Sequence, residues 1–129
     1  MEELVHPQRY VGKNGTEVFD IIDEWELNYY QGNVVKYLIR HRNKGGKQDL
    51  EKALVYLRHI LTENELGQRS RRIVDFEYFQ FEYLQDEFDI GLNERMAIEC
   101  MVRAKQTGMW SYIDIAIEYV KREIKQRYE

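Results

Sequence analysis

GNVVKYLIRHRNKGGKQDLEKALVYL, residues 32–57, holds two helical patterns joined by a glycine turn. In the first, Val34, Val35, Leu38 and Ile39 form an apolar side. Asn33, Lys36, Tyr37 and Arg40 recur at i, i+3, i+4 and i+7 and so share one face. In the second, Leu50, Ala53, Leu54, Leu57, Ile60 and Leu61 make a core stripe, with Asp49, Lys52, Tyr56 and His59 along an adjoining face. Asn43, Lys44, Gly45, Gly46 and Lys47 are too polar and flexible to continue a helix, and so short a connection predicts antiparallel neighbours. Folded back on each other, the two stripes make one polar groove.

The rest of the chain reads as helices packed around this pair. Residues 1–15 are irregular, broken by Pro7, Gly12 and Gly15. Thr16 offers an N-cap for a helix over 17–27 with Val18, Ile21, Ile22 and Trp25 inside. Asn28 caps the next, which runs to 42 and tolerates Gly32 because something there requires a close approach. Asp49 is the natural N-cap of the third, which runs to 62. Residues 63–72 lapse into a polar link. Residues 73–88 fit helix or strand, and helix is preferred because no partner strand occurs elsewhere; their aromatic stripe reads as core or an oligomer interface. Asn93 and Ser111 cap two further helices, the first ending at Gly108. The expected fold is all-α: a compact bundle of about six helices, with residues 63–129 packed as a helical extension on residues 1–62 in one globular unit.

The chain has 129 residues, enough for one core without disulfides or a structural metal. Its single cysteine, Cys100, sits in an apolar helical pattern and reads as a buried thiol of a reducing cytosol. No stretch reaches the roughly 20 apolar residues of a membrane span, so a soluble, cytoplasmic protein is expected. Net charge is −4, which argues against general nucleic-acid binding. The charge is uneven: residues 1–27 carry seven acidic and two basic side chains, residues 28–59 seven basic and two acidic. A basic groove between acidic flanks suits a small anionic ligand. Phosphate-loop and dinucleotide glycine motifs are absent. His6, His41 and His59 are scattered, which leaves no expected metal cluster.

His6-Pro7, Tyr10, Gly15, Glu17-Val18, Ile21-Ile22, Gly32-Asn33, Lys36-Tyr37, Arg40, Lys44, Asp49-Leu50, Lys52-Ala53 and Tyr56-Leu57 together resemble the SaV-like phage domain family, a family catalogued as of unknown function. The resemblance covers about residues 6–61, through GNxxKYxxR and DLxKAxxYL. The family includes a phage nucleotide kinase that phosphorylates deoxynucleoside monophosphates without a Walker loop. Carried over, the resemblance implies a nucleotide in contact with Asn33, Lys36, Tyr37, Arg40, Lys44, Lys52 and Tyr56, with His6 and Asp49 as accessory candidates and no catalytic residue assigned. It also implies action in the host cytosol during infection.

Basic residues at helical spacing most often form a solvated face. Here Asn33 and Tyr37 are interleaved with the cations, and a nucleotide site wants cations for phosphate, an amide for a base or sugar edge and an aromatic plane. Two readings stay open. As a kinase, the protein would neutralise phosphate with Lys36, Arg40 and Lys52, with Mg²⁺ bridging the donor phosphates. As a non-catalytic module, it would hold a nucleotide-derived signal or block a host protein. Homo-oligomerisation would supply the second half of a site that a short helical domain lacks. Arg40→Ala is expected to abolish ligand-dependent stabilisation and leave the fold intact.

Overall fold

The computed structural model describes residues 11–63 and 81–129. They form six helices: α1 (Val18–Glu24), α2 (Tyr29–Arg40), α3 (Lys47–Thr62), α4 (Glu82–Phe88), α5 (Leu92–Thr107) and α6 (Ser111–Tyr128). Among the described residues the only β pairing is an isolated bridge between Val11 and Glu17. The all-α bundle expected from periodicity is the fold. His6, and the unresolved choice between helix and strand over residues 73–80, lie outside the described residues; residues 82–88 are helical.

The α2–α3 hairpin is antiparallel, as its contacts show in order: Arg40 meets Asp49, Tyr37 meets Tyr56 and Tyr30 meets His59. Val34, Val35, Leu38 and Ile39 of α2 and Leu50, Ala53, Leu57 and Ile60 of α3 are all but inaccessible to water. Each large aliphatic side chain so buried contributes about 1.5–3 kcal/mol. A second hairpin, α5–α6, turns at Gly108, whose φ of 75° ends α5 in the left-handed conformation open to glycine. It brings Asn93 to Glu123 and Gln126. The hairpins pack through α3 on α6 and α2 on α5, with Ala97, Met101, Ile113, Ala116 and Val120 buried between them. Cys100 is buried there too, and burial pushes its thiol pKa up.

Helix ends depart from the sequence reading. α1 stops at Glu24 because Glu26 turns left-handed (φ 53°). The Glu26 and Leu27 amides then donate to the Asp23 and Ile22 carbonyls, a Schellman closure without its usual glycine. Its N-cap is Glu17, not Thr16, with the Asp20 carboxylate accepting from the Glu17 amide at 2.8 Å. Asn28 caps α2 as expected, accepting from Gln31 N at 3.0 Å. α2 ends at Arg40, two residues early. α3 is capped by Gly46 (φ 58°), which places Asp49 in the first turn and not at the cap. Gly91 and Trp110 take the cap positions expected of Asn93 and Ser111.

Of the described part of the aromatic stripe, Tyr83 is 38% exposed and its hydroxyl donates to Glu87 at 2.8 Å. Phe81 and Phe88 are buried, in keeping with the core reading of that stripe, with Phe81 stacked on Trp25 at 4.9 Å. The buried Glu87 carboxylate accepts from the amides of Asn14 and Thr16, docking the turn that leads into α1 against α4.

Candidate functional site

Tyr37 is the centre of the polar face of the α2–α3 hairpin. Lys36 Nζ lies 4.6 Å from its ring centroid, Arg40 Cζ 4.9 Å and Lys52 Nζ 5.5 Å. Three cations at one ring would repel one another. The negative face of the ring offsets part of that repulsion, and Asp49 offsets more. Arg40 donates to the Asp49 carboxylate twice, Nε to Oδ2 at 2.9 Å and Nη2 to Oδ1 at 3.0 Å. Among the described residues no carboxylate pairs with Lys36 or Lys52. The cluster therefore carries the charge of these two ammonium groups beyond the neutralised Arg40–Asp49 pair.

Asp49 is 1% exposed and also accepts from Gly45 N at 2.9 Å. A Cβ on Gly45 would collide with this carboxylate, so a bare backbone is what lets the turn close over it. Both Asp49 oxygens are thus engaged, and its role is to hold Arg40 and the turn.

Aromatic rings extend the cluster. Tyr56 stacks beside Tyr37 at 6.0 Å and 23°, and Tyr29 meets Tyr56 edge-on at 6.1 Å. Tyr29 is 69% exposed. Its hydrogen bond with Tyr56, and then burial, push the Tyr56 pKa up to about 12, so that hydroxyl stays protonated at neutral pH. Asn33 donates its amide nitrogen to the Tyr29 carbonyl at 2.8 Å. Of the residues singled out from sequence, Lys36, Tyr37, Arg40, Lys52 and Tyr56 gather in one cluster and Asn33 borders it. Lys44 is exposed on the turn; its backbone N–H donates to the Arg40 carbonyl, and among the described residues no side-chain contact ties it to the cluster.

Next to this face lies a cavity of about 370 Å³ with Val18, Phe19, Ile22, Leu27 and Tyr29 among its walls, and with Asn33 and Lys36 at its polar side. Gly32 is part of the wall. A Cβ there would stand 3.1 Å from Ile22 Cδ1, tighter than an ordinary contact, so the Ile22 side chain would have to shift by a few tenths of an ångström.

A second polar cluster escaped the sequence reading because its members are remote from one another in the chain. At the end of the bundle where α2, α5 and α6 meet, His41 Nε2 bonds the Glu94 carboxylate at 2.9 Å and Nδ1 bonds the Tyr128 hydroxyl at 2.8 Å. Arg42 donates to Glu94, Arg127 to Glu123, and Asn93 to Glu123. His41, Glu94 and Glu123 bring one ligand atom each within 4.8 Å of the others, a spacing open to a metal ion. The two arginines already supply the positive charge these carboxylates need, and the cluster works as a buried clamp between the hairpins. Burial pushes Glu94 up, but the His41 hydrogen bond, a backbone N–H and the Arg42 charge outweigh it and hold the carboxyl below its ordinary value.

Compared with known families, the N-terminal part of the chain finds a match. Residues 4–58 match the model of the DUF3310 family, described as a protein of unknown function. The matched segment includes α1, α2 and most of α3, hence the Tyr37 cluster and the described walls of the cavity. It is the same stretch on which the sequence resembled a phage domain family of unknown function. No curated protein and no solved structure matches the chain. No helix among the described residues is long and apolar enough to cross a membrane.

Proposed function

We propose that the α2–α3 face binds a nucleotide through its phosphate. The observation that carries this reading is the gathering of Lys36, Arg40 and Lys52 around Tyr37, with Asp49 spent on Arg40. Cations held over a ring and backed by a rigid hairpin are preorganised for an anion, and pay less side-chain entropy on binding than three mobile lysines would. The small size of the cluster fits a single phosphorylated metabolite better than a nucleic-acid backbone.

Binding without turnover is the form this face supports best. Phosphoryl transfer to a nucleoside monophosphate needs a second nucleotide position, with the donor in line with the acceptor phosphate, and this face carries a single cluster of cations. A protein-held Mg²⁺ would want free carboxylate oxygens, and among the described residues the cluster's one carboxylate, Asp49, is engaged on both oxygens; a Mg²⁺ here would be held by the phosphates of the nucleotide. The deoxynucleoside monophosphate kinase reading rests on the phage-family resemblance, as does action in the cytosol of an infected host. A paired site in a homo-oligomer is the arrangement that would restore it.

The test is calorimetric titration of the purified protein with nucleoside mono-, di- and triphosphates and cyclic nucleotides, with and without Mg²⁺, followed by product analysis with ATP present. Saturable binding that weakens with salt and is lost in Lys36→Met/Lys52→Met is the expected result. Conversion of a bound monophosphate in the presence of ATP would replace the binding reading by the kinase. No binding of any nucleotide would overturn both, and would leave inhibition of a host protein as the reading to pursue.

A further inference from the structure

The Tyr37 ring is only partly accessible and is already in contact with three cations and with Tyr56. It serves as the floor that holds those cations, so a ligand's aromatic group has to be placed elsewhere. The neighbouring cavity offers that place. Its walls are Val18, Phe19, Ile22, Leu27 and the open ring of Tyr29. Lys36 belongs both to the cavity and to the Tyr37 cluster, so the apolar space opens onto the cationic patch. At about 370 Å³ the cavity stands near the lower end of small-molecule sites. That is room for one heteroaromatic base with part of its sugar.

We infer that this cavity is the base subsite of the proposed nucleotide site, with the base against Tyr29 and Phe19 and the phosphate on Lys36 and Lys52. The inference rests on the nucleotide reading above. Charge fixes the orientation, because the other charged residue of the cavity is Glu17. A phosphate pushed inside would meet a carboxylate in apolar surroundings, whereas a base can offer Glu17 an amino or imino N–H. Asn33, its amide nitrogen anchored on the Tyr29 carbonyl, lines the passage between the two subsites. Such a site holds one nucleoside monophosphate and discriminates by the base more than by the number of phosphates.

Calorimetric titrations with ribose 5-phosphate, AMP, GMP, CMP and dTMP separate the subsites. At least one nucleoside monophosphate should bind about ten-fold tighter than ribose 5-phosphate, the size expected when a base gains an aromatic contact. Phe19→Glu should abolish that advantage, with its added charge weakening ribose 5-phosphate by a smaller factor than it weakens the nucleotide. Phe19 is 55% exposed, so the fold can accept a polar side chain there, and Phe19→Ser is a second variant free of added charge. Lys52→Met should weaken every probe alike. Equal affinity for ribose 5-phosphate and all four nucleotides, or an advantage that survives both Phe19 variants, would overturn the base subsite and leave the phosphate site standing. Absence of binding by every probe would overturn the nucleotide reading, and the subsite with it.

Discussion

Arg40 and Asp49 face each other across the glycine turn in a two-point pair, at 2.9 and 3.0 Å, that fastens the last residue of α2 to the first turn of α3. The pair joins fold to site, because the guanidinium that holds the turn also sits at the Tyr37 ring. It corrects the expectation that Arg40→Ala would spare the fold. Removing the guanidinium strands a buried carboxylate, which costs about 3 kcal/mol. Urea denaturation should show that loss in Arg40→Ala. The double variant Arg40→Met/Asp49→Leu should recover much of it, since an apolar pair leaves no charge stranded. Loss of anion binding in the double variant would then report on the site alone.

Lys36 and Lys52 carry no structural duty of this kind. Lys36→Met and Lys52→Met should each change stability by no more than about 0.5 kcal/mol. Both should weaken nucleotide binding and reduce its salt dependence. Tyr37→Phe keeps the ring under the cations and should bind as the parent does; Tyr37→Leu removes it and should bind several-fold more weakly, a loss of about 1 kcal/mol. Equal binding by the Phe and Leu variants would mean that the ring does not organise the cations.

Helical periodicity was enough to place α2 and α3, their antiparallel pairing and the shared polar face, because each of these depends on residues within a few turns of one another. Cap positions were less legible. Asp49 has the chemistry of an N-cap, but Gly46, at positive φ, starts α3 three residues earlier. Glu26 adopts a left-handed conformation with nothing in its side chain to announce it. The His41 clamp was out of reach for another reason: its hydrogen bonds to Glu94 and Tyr128 span 53 and 87 residues. Local pattern carries no information on such pairings. The cavity was equally hidden, since Phe19 and Tyr29 look like ordinary exposed aromatics until α1 is set against α2.

The tyrosine ladder can be read by titration. With tyrosines labelled at the ring carbon that bears oxygen, one resonance should titrate near pH 12, and it should vanish in Tyr56→Phe. In Tyr29→Phe it should move down toward the ordinary tyrosine value near 10, because the hydrogen bond with Tyr29 is the largest cause of the shift. A Tyr56 resonance unmoved by Tyr29→Phe would separate the two hydroxyls and remove the edge that closes the aromatic face.

Glu94 gives the fold a pH dependence whose sign follows from its environment. Its carboxyl is held below its ordinary value in the folded chain despite burial, and Glu87 is likewise held down by hydrogen bonds from Tyr83, Asn14 and Thr16 that outweigh burial. Between the folded and unfolded values the unfolded chain binds more protons, so stability rises with pH across that window. The contribution is complete above the ordinary carboxylate value of about 4.3 and is lost as pH falls through the lower folded value. Glu94→Gln should therefore cost about 2 kcal/mol at pH 7, where it removes the charged acceptor of His41 and Arg42. It should cost less as pH falls through the lowered folded value, where the parent loses the same charge. Denaturation midpoints of parent and variant should converge on acidification, and curves that stay parallel down to full protonation of the carboxylates would show that the Glu94 charge does not hold the α2–α5 end of the bundle together.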